Sequence, residues 1–212
     1  MEIEPQTLSP VALYKLLIGC IVPRPIAWVS TVSAGGSRNL APFSFFLGVS
    51  PDPPTPAFSV GPRGGDGESG IRHPKDTARN IEATRECVVN VVDDALAEQM
   101  NLTSGEYAPD VDEFAVAGLT AVPSMKVSPP RIGEAPISME CRVAQILPVG
   151  RGPNSLVLGE IVYFHLRDDL YDAASGRIDM RRLKPVGRLA GHLYTHVHDV
   201  FSMQRPDPNY QG

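Results

Sequence analysis

A β-hairpin pattern near the N-terminus constrains the fold of this chain more than any other feature. Residues 26–32 alternate Ile, Trp and Val with Ala, Ser and Thr, and the turn sequence AGGS follows at residues 34–37. Residues 39–49 form a mainly apolar run, which predicts a single strand as the second strand of the hairpin. This run also contains asparagine, proline and serine, and the proline removes one backbone donor. Because a purely structural hairpin rarely carries such polar groups, we expect it to contribute to a binding site.

The composition of the remaining chain favours short strands over long helices. The 212 residues include 21 prolines and 19 glycines, which permit frequent chain reversals within one domain of ordinary size. Residues 52–56 contain three prolines and are interpreted as a rigid connection that does not pair within a sheet. Further strands are predicted at residues 57–60, 86–92, 137–149 and 155–166. The sequence therefore predicts a mainly β, single-domain barrel with α excursions.

Local signals place a few short helices between these strands. Ser9 is predicted as an N-cap, Pro10 as the first helical residue and Gly19 as the residue beyond the end. Asp76 or Thr77 is predicted to cap a second helix. The remaining helical predictions are residues 94–101 and a turn at residues 112–115, which lies in the irregular segment 107–136.

Charge and cysteine usage limit the classes of partner. The net charge of −5 disfavours a general nucleic-acid binder, which needs a dense basic surface. The N-terminus lacks the pattern of a signal peptide, and no run approaches about 18 apolar residues, so we expect a cytoplasmic protein with no membrane partner. Cys20, Cys87 and Cys141 are widely spaced, and we interpret all three as packing residues.

Four segments carry motifs that occur in a fixed order. They are PRPIAWVST at residues 23–31, NLAPFSFF at 39–46, KDTARNI at 75–81 and CVVN at 87–90, with a weaker match at 183–194. Together these segments resemble the flavin reductase-like, FMN-binding split-barrel flavoproteins. The resemblance implies an FMN-binding split β-barrel with Greek-key-like topology.

The resemblance also implies a domain organisation and an oligomeric state. The whole chain, residues 1–212, would form one domain. Its barrel core would cover approximately residues 20–166, followed by a C-terminal extension at residues 167–212. Related flavoproteins pair two barrels so that each flavin lies near the subunit boundary, and the resemblance therefore implies a homodimer.

A phosphate site is predicted at the start of the second helix. Lys75 and Thr77 offer a cation and a hydroxyl at a helix N-terminus, and Arg24, Ser30 and Thr31 would converge from the first strand. The residues alone leave an alternative, in which Asp76 and Thr77 only cap the helix and Lys75 is solvated. The resemblance favours the phosphate of FMN.

The second strand is predicted to lie beside the flavin ring. In the family pattern this role maps to Asn39, Ala41, Pro42 and Ser44, where small residues let a flat ring approach the backbone. Trp28 is predicted to wall the same cavity, with ordinary core packing as the alternative.

Residues 61–70 contain five glycines, which indicates either a flap close to the ligand or a surface loop without a role in binding. If this insert shifts the following helix, it would weaken the predicted phosphate site. The sequence leaves both interpretations open.

The C-terminal part offers a basic run and three histidines. Residues 177–188 carry five basic side chains against one acid, which suits either the phosphates of a nicotinamide cofactor or a salt-bridging surface. His192 lies in the weak family match and is assigned to the flavin site, where the resemblance implies that its segment lines the exposed face of the flavin or the site of the dimer partner. The spacing of His192, His196 and His198 places only the last two on one strand face, so we predict no metal site.

The function implied by the resemblance is that of an oxidoreductase. Bound FMN would take a hydride from NAD(P)H and pass electrons to a second acceptor or to oxygen. This chemistry needs no catalytic acid, and the chain contains no nucleophile elbow, Walker loop or Rossmann fingerprint. Two alternatives remain: a non-catalytic flavin binder or electron carrier, and a barrel that has lost flavin and serves as an interaction module.

Overall fold

Most of the regular structure in this protein is β-strand. The structure, a computed structural model, describes residues 1–63 and 74–206. The strands are β1 (Ala27–Val32), β2 (Arg38–Phe43), β3 (Phe46–Pro51), β4 (Pro54–Val60), β5 (Glu86–Val91), β6 (Ala121–Val122), β7 (Arg131–Ile132), β8 (Ile137–Val149), β9 (Asn154–Leu166), β10 (Tyr171–Asp172), β11 (Arg177–Ile178), β12 (Val186–Arg188) and β13 (Tyr194–His196). The α-helices are α1 (Pro10–Cys20), α2 (Asp76–Thr84), α3 (Ala97–Leu102), α4 (Glu113–Val116) and α5 (Met180–Leu183), and 3-10 helices cover Pro5–Thr7 and Asp94–Leu96.

Seven of these strands form one antiparallel sheet in the order β2-β1-β5-β8-β9-β4-β3. Its edge strands, β2 and β3, are consecutive in the chain, so the sheet curls until its two edges meet near Ser44 and Phe45. The Ser59 N–H of β4 donates to the Phe45 carbonyl at 2.9 Å, which extends the β3–β4 pairing back to this connection. The sheet is therefore a barrel that is split between β2 and β3, and the predicted mainly β fold with α excursions is confirmed.

The interior of the barrel is one apolar core that joins both ends of the sheet. Val29 of β1 and Phe43 of β2 pack in the same cluster as Phe58 of β4 and Val157 of β9. The rings of Phe43 and Phe58 have centroids 5.8 Å apart. Each such side chain contributes about 1.5–3 kcal/mol on burial, which favours the curled sheet over a flat one.

A second core lies on the outer face of the β1–β2 hairpin. Trp28 and Leu40 pack there against Met100 of α3, Phe114 of α4 and Val186 of β12. Because β1 is covered on both faces, all of its residues except the last are buried. The segment between β5 and β8, together with the C-terminal hairpin β12–β13, supplies this outer layer.

Several local predictions are confirmed. The turn after β1 places Gly36 at a φ of 86°, a left-handed conformation that favours glycine. Ser9 caps α1 by accepting a hydrogen bond from the Ala12 N–H at 3.3 Å, although α1 continues through Gly19 to Cys20. The long strands β8 and β9, β5, the helices at 94–102 and the turn at Glu113–Val116 also lie where the sequence placed them.

Two predictions about strands were wrong. Residues 39–49 are not one strand, because the chain leaves β2 at one edge of the sheet and enters β3 at the other. Residues 52–56 are not an unpaired connection: β3 and β4 pair directly, with Ser50 opposite Thr55 and Gly48 opposite Pro56. Proline is tolerated there because Pro54 and Pro56 precede Ala57, where the pairing of β4 with β9 begins, so neither proline removes a donor from that ladder.

Other corrections concern single residues. Neither Asp76 nor Thr77 caps α2; the N-cap residue is Lys75, without a side-chain capping bond. Cys87 and Cys141 are buried opposite each other on β5 and β8, but Cys20 is exposed and is not a packing residue.

Most of the glycine-rich segment at residues 61–70 lies outside the described residues, so both interpretations of it stay open. None of the helices in the described part of the chain has the length and apolar character needed to cross a membrane.

Candidate functional site

The β1–β2 hairpin distributes the predicted site residues over its two faces. Thr31, Asn39 and Ala41 face the barrel interior and α2, as the pairing of Thr31 with Asn39 and the packing of Ala41 show. Trp28 and Pro42 are paired on the opposite face. The hairpin therefore separates the predicted residues into a group near α2 and a group near the outer layer.

A buried polar network joins the hairpin to the start of α2. The Asn39 side-chain amide donates to the Thr77 hydroxyl at 3.0 Å and to the Thr31 hydroxyl at 3.3 Å. Asn80 donates to the same Thr31 oxygen at 3.0 Å. All four side chains are buried, and buried polar groups that satisfy one another fix the relative position of their elements. The structure thus brings Thr31, Asn39 and Thr77 together.

The start of α2 is positively charged. The Asp76 carboxylate pairs with both Arg63 and Arg79. Lys75 is half-buried at the N-cap, with its Nζ 5.7 Å from the centroid of the Phe43 ring. Burial lowers the pKa of Lys75, Arg63 lowers it further, and nearby negative charge opposes the shift. Lys75, Arg63 and Arg79 outnumber the carboxylates of Asp76 and Glu106 at this helix N-terminus, an arrangement that favours an anion.

The outer edge of β2 pairs with no strand of the described sheet. At one position of this edge a side chain takes the place of a strand: the buried Glu113 carboxylate accepts from the Leu40 N–H at 3.0 Å. Burial raises the pKa of Glu113, while the hydrogen bond from Leu40 opposes the rise. Because backbone groups alternate along a strand, those of Leu40 and Pro42 face this edge and those of Asn39 and Ala41 face β1. The Leu40 N–H is occupied and Pro42 has no N–H, so the edge offers carbonyl oxygens to a ligand.

A cavity of about 460 Å³ opens on the outer side of the hairpin. Among the predicted site residues, Arg24, Pro42, Ser44 and His192 line it. Its size falls within the range of small-molecule sites, about 300–1,000 Å³. The cavity therefore collects residues from the first strand region, from the end of β2 and from the C-terminal hairpin.

Arg24 organises one wall of this cavity. Its buried guanidinium donates to the carbonyls of Ile18 at 2.6 Å, Ile21 at 2.8 Å and Leu189 at 2.9 Å, and weakly to Ser44. Burial lowers the pKa of Arg24. The side chain therefore joins the end of α1 to the C-terminal segment, and it lines the cavity, which Lys75 and Thr77 do not.

Trp28 and Ser30 lie beneath the surface of the site. The Trp28 side chain is fully buried, and its indole N–H donates to the Thr103 hydroxyl at 2.8 Å. The Ser30 hydroxyl donates to the Pro130 carbonyl. Both side chains are occupied in holding the outer layer to β1, and neither lines the cavity.

Comparison with known proteins identifies the fold family. The family model described as the flavin reductase-like domain matches residues 18–183. The chain belongs to the flavin reductase-like family. An uncharacterized relative from Halalkalibacterium halodurans is 42% identical over 210 residues, which cover 97% of each chain.

Solved structures of similar proteins share the whole fold of this flavin reductase-like chain. Component B of nitrilotriacetate monooxygenase from Bacillus cereus matches with a TM-score of 0.88 and 35% identity, over 96% of this chain and 98% of that one. The 2-nitrobenzoate 2-nitroreductase of Pseudomonas fluorescens matches with a TM-score of 0.86 and 32% identity, over 97% and 96%. The predicted single-domain split barrel is thereby confirmed.

Sequence reasoning missed several residues of the cavity in this flavin reductase-like protein. Tyr14 comes from α1, Asn101 from α3 and Tyr194 from β13. The Arg188 guanidinium lies 4.2 Å from the centroid of the Tyr194 ring, and the Arg188 backbone pairs with Arg24. The weak family match at residues 183–194 was the one sequence signal that pointed to the part of the cavity formed by Arg188 and Tyr194. No sequence signal indicated that α1 lies beside this segment.

Proposed function

We propose that this protein binds FMN along the edge of β2 and at the start of α2, and that it acts as an oxidoreductase. The observation that carries the proposal is the hydrogen bond of 3.0 Å between Asn39 and Thr77. It joins the strand assigned to the flavin ring with the helix assigned to the phosphate. The family match at residues 18–183 includes both elements.

The start of α2 has the donors that a phosphate monoester needs. Lys75 would supply a charge-assisted bond, and the first N–H groups of the nine-residue helix α2 have no intrahelical partner. The Thr77 hydroxyl lies in the first turn and accepts from Asn39, so its own proton is available to a phosphate oxygen. Arg63 and Arg79 add positive charge around this position.

The edge of β2 suits a flat heterocycle. Ala41 has a small side chain, and the free edge offers backbone carbonyl oxygens to the polar rim of a ring. Asn39 is held in place by its bonds to Thr31 and Thr77. Pro42 and Ser44 continue this edge into the cavity, where a second reactant would reach the flavin.

When bound, FMN would supply the redox chemistry by accepting a hydride from NAD(P)H and passing the electrons to an acceptor or to oxygen. The residues of the chain would bind and orient the reactants. Arg188 and Arg24 give the cavity a cationic wall suited to the phosphates of a nucleotide, with His192 beside them. Tyr14 and Tyr194 offer aromatic surfaces to a planar ring.

The names of the similar proteins support a redox enzyme. One is called a component of a monooxygenase, and the other a nitroreductase. Because identities of 35% and 32% extend over nearly the whole chain, we carry the reaction class, and not the substrate, to this protein. We place this activity in the cytoplasm.

We also propose a homodimer. Helix α1 is strongly apolar, yet Ile18 is its one buried residue. Val11, Tyr14, Leu16 and Leu17 are all exposed, and Tyr14 also lines the cavity. A contiguous apolar helix surface beside a binding cavity is typical of a protein interface, and a second copy of the chain would cover it.

An anaerobic titration tests the proposed function. Purified protein would be titrated with FMN and then with NADH or NADPH while the visible spectrum is recorded. We expect saturable flavin binding and bleaching of the flavin bands by at least one nucleotide. Flavin bands that persist with both nucleotides would indicate an electron carrier or another reductant. Absence of flavin binding would overturn the proposal and favour an interaction module.

The phosphate assignment predicts a large loss of flavin affinity in one double variant. Lys75→Ala with Thr77→Val removes an ammonium and a hydroxyl, and we expect the Kd for FMN to rise more than about tenfold. Fluorescence quenching of FMN measures this change, and circular dichroism checks the fold.

Two controls separate this effect from general damage. Thr77→Ser keeps the hydroxyl that accepts from Asn39, and Lys126→Ala removes an exposed lysine between β6 and β7. Both should bind FMN nearly as the parent does. A double variant with the affinity of the parent would show that the phosphate lies elsewhere.

A further inference from the structure

Three ligand-type side chains meet at the outer end of the C-terminal hairpin. His196 ends β13, His198 follows it by two residues, and Asp94 begins the 3-10 helix after β5. The aspartate is separated from His196 by 102 residues in the chain. None of the three lines the cavity of the candidate flavin site. The cluster is thus a separate feature of the molecule.

The geometry of this cluster is convergent. The Asp94 Oδ1 atom lies 2.7 Å from His196 Nδ1, and the other carboxylate oxygen contacts His198 Nε2. The two imidazole rings are stacked with centroids 5.1 Å apart. One ligand atom from each of the three side chains lies within 4.8 Å of the others. Two imidazole nitrogens therefore point to one carboxylate.

We propose that Asp94, His196 and His198 bind a divalent transition-metal ion such as Zn²⁺. Two imidazole nitrogens and one carboxylate oxygen are a ligand set that zinc accepts, at about 2.0–2.2 Å from the metal. The ion would lie between the carboxylate and the rings, in place of the two hydrogen bonds. Water would complete the coordination, since the site opens to solvent.

The exposure of the cluster suits this role. The Asp94 side chain is 24% exposed, and those of His196 and His198 are 65% and 53% exposed, so a hydrated ion can reach all three.

A bound ion would fasten the C-terminal hairpin to the outer layer. The Asp94 N–H already donates to the Lys184 carbonyl at 3.1 Å, which places the 3-10 helix beside the start of the hairpin. The same hairpin carries Arg188 and Tyr194 on the cavity wall. Metal binding is thus expected to stabilise that wall, but the proposal does not depend on whether the cavity binds a flavin or a nucleotide.

Calorimetric titration of the tag-free, full-length protein with Zn²⁺ tests the site. After treatment with a chelator, the protein should bind one equivalent of Zn²⁺, and its melting temperature should rise with the zinc concentration. Asp94→Asn and the double variant His196→Gln with His198→Gln should each weaken binding by at least about tenfold. All three side chains are partly or largely exposed, so we expect these variants to fold.

Asp199→Asn is the matched control, because Asp199 is an exposed acid next to His198 that lies outside the cluster. It should bind zinc as the parent does. Lack of saturable binding by the parent protein, or unchanged binding by the double histidine variant, would overturn the proposal. The same variants are titrated with FMN in parallel, so that a failure to bind zinc is distinguished from a failure to bind flavin.

Discussion

Glu140 is a buried carboxylate that serves the fold. Its side chain is fully buried and accepts from the N–H groups of Met125 at 2.7 Å and Lys126 at 2.6 Å. His165 Nε2 lies 2.6 Å from the same carboxylate. Burial raises the pKa of Glu140, but the hydrogen bonds from His165 and the two backbone groups outweigh it and hold the pKa below its usual value. The charged form therefore anchors the loop before β7 to β8.

Glu140→Gln should destabilise the protein in a pH-dependent way. A lowered carboxyl pKa in the folded state means that the carboxylate contributes stability above its unfolded pKa, and that this contribution is lost as the pH falls through the folded pKa. We expect a loss of about 2–3 kcal/mol at pH 7 that shrinks below about pH 4. Urea unfolding at several pH values measures it.

Glu86→Gln is the control for this prediction, since the Glu86 carboxylate accepts from one backbone N–H, that of Ser128, at 2.8 Å near the surface. Glu86→Gln should lower the free energy of unfolding by less than Glu140→Gln does. An equal loss in both variants, or one for Glu140→Gln that does not change with pH, would contradict the role assigned to the buried charge.

At the scale of elements, Asn90 of β5 ties several strands together. Its amide donates to the Trp28 carbonyl of β1 at 2.9 Å, and its oxygen accepts from the Ile132 N–H of β7 at 3.1 Å and from the Ser138 hydroxyl of β8 at 2.8 Å. The side chain is fully buried. Asn90 therefore fixes the outer β6–β7 hairpin to the barrel, which explains a polar residue in the centre of an apolar strand.

Removing this amide should cost more than removing one of its partners. Asn90→Ala leaves three buried groups without a partner, and we expect a loss of about 3 kcal/mol, against about 1 kcal/mol for Ser138→Ala. Chemical denaturation of both variants measures the difference. Similar losses would mean that the network is not centred on Asn90.

For the whole molecule, the exposed surface of α1 provides the test of the proposed homodimer. Leu16 and Leu17 are 42% and 47% exposed. Replacing both with glutamate should convert the proposed homodimer to a monomer, because charge cannot be buried in an apolar interface without a partner. Size-exclusion chromatography with light scattering measures the mass. A monomeric parent protein would contradict the proposal.

Met125→Glu is the control for this experiment. Met125 is an exposed apolar residue in the loop between β6 and β7, and it is 64% exposed. Its substitution should leave the mass unchanged. If this variant also dissociated, added charge and not the α1 surface would be responsible.

Sequence patterns located elements whose signals are local. The alternation in β1, the glycine of its turn and the serine cap of α1 depend on residues within a few positions, so they were readable in advance. Predictions from sequence failed where a residue outside the local segment contacts the side chain concerned. Asp76 does not cap α2, because its carboxylate pairs with Arg63 and Arg79.

The candidate site shows the same division. The motifs around Asn39 and Thr77 predicted neighbouring roles, and the structure joins these residues by a hydrogen bond. Arg24 was assigned to the phosphate on its position in the motif, yet the carbonyls that hold it come from α1 and from Leu189, far along the chain. Whether these residues bind FMN stays a prediction.

By itself, the sequence determined the family, the mainly β composition and most strand positions, because these follow from motifs and short-range periodicity. Tertiary structure alone decided where the barrel splits, which face of the hairpin each polar side chain occupies, and that Asp94 meets His196 and His198. The physical reason is that sheet closure and outer-layer packing bring together groups more than 100 residues apart, such as Asp94 and His196 at 102, and no local pattern records such contacts.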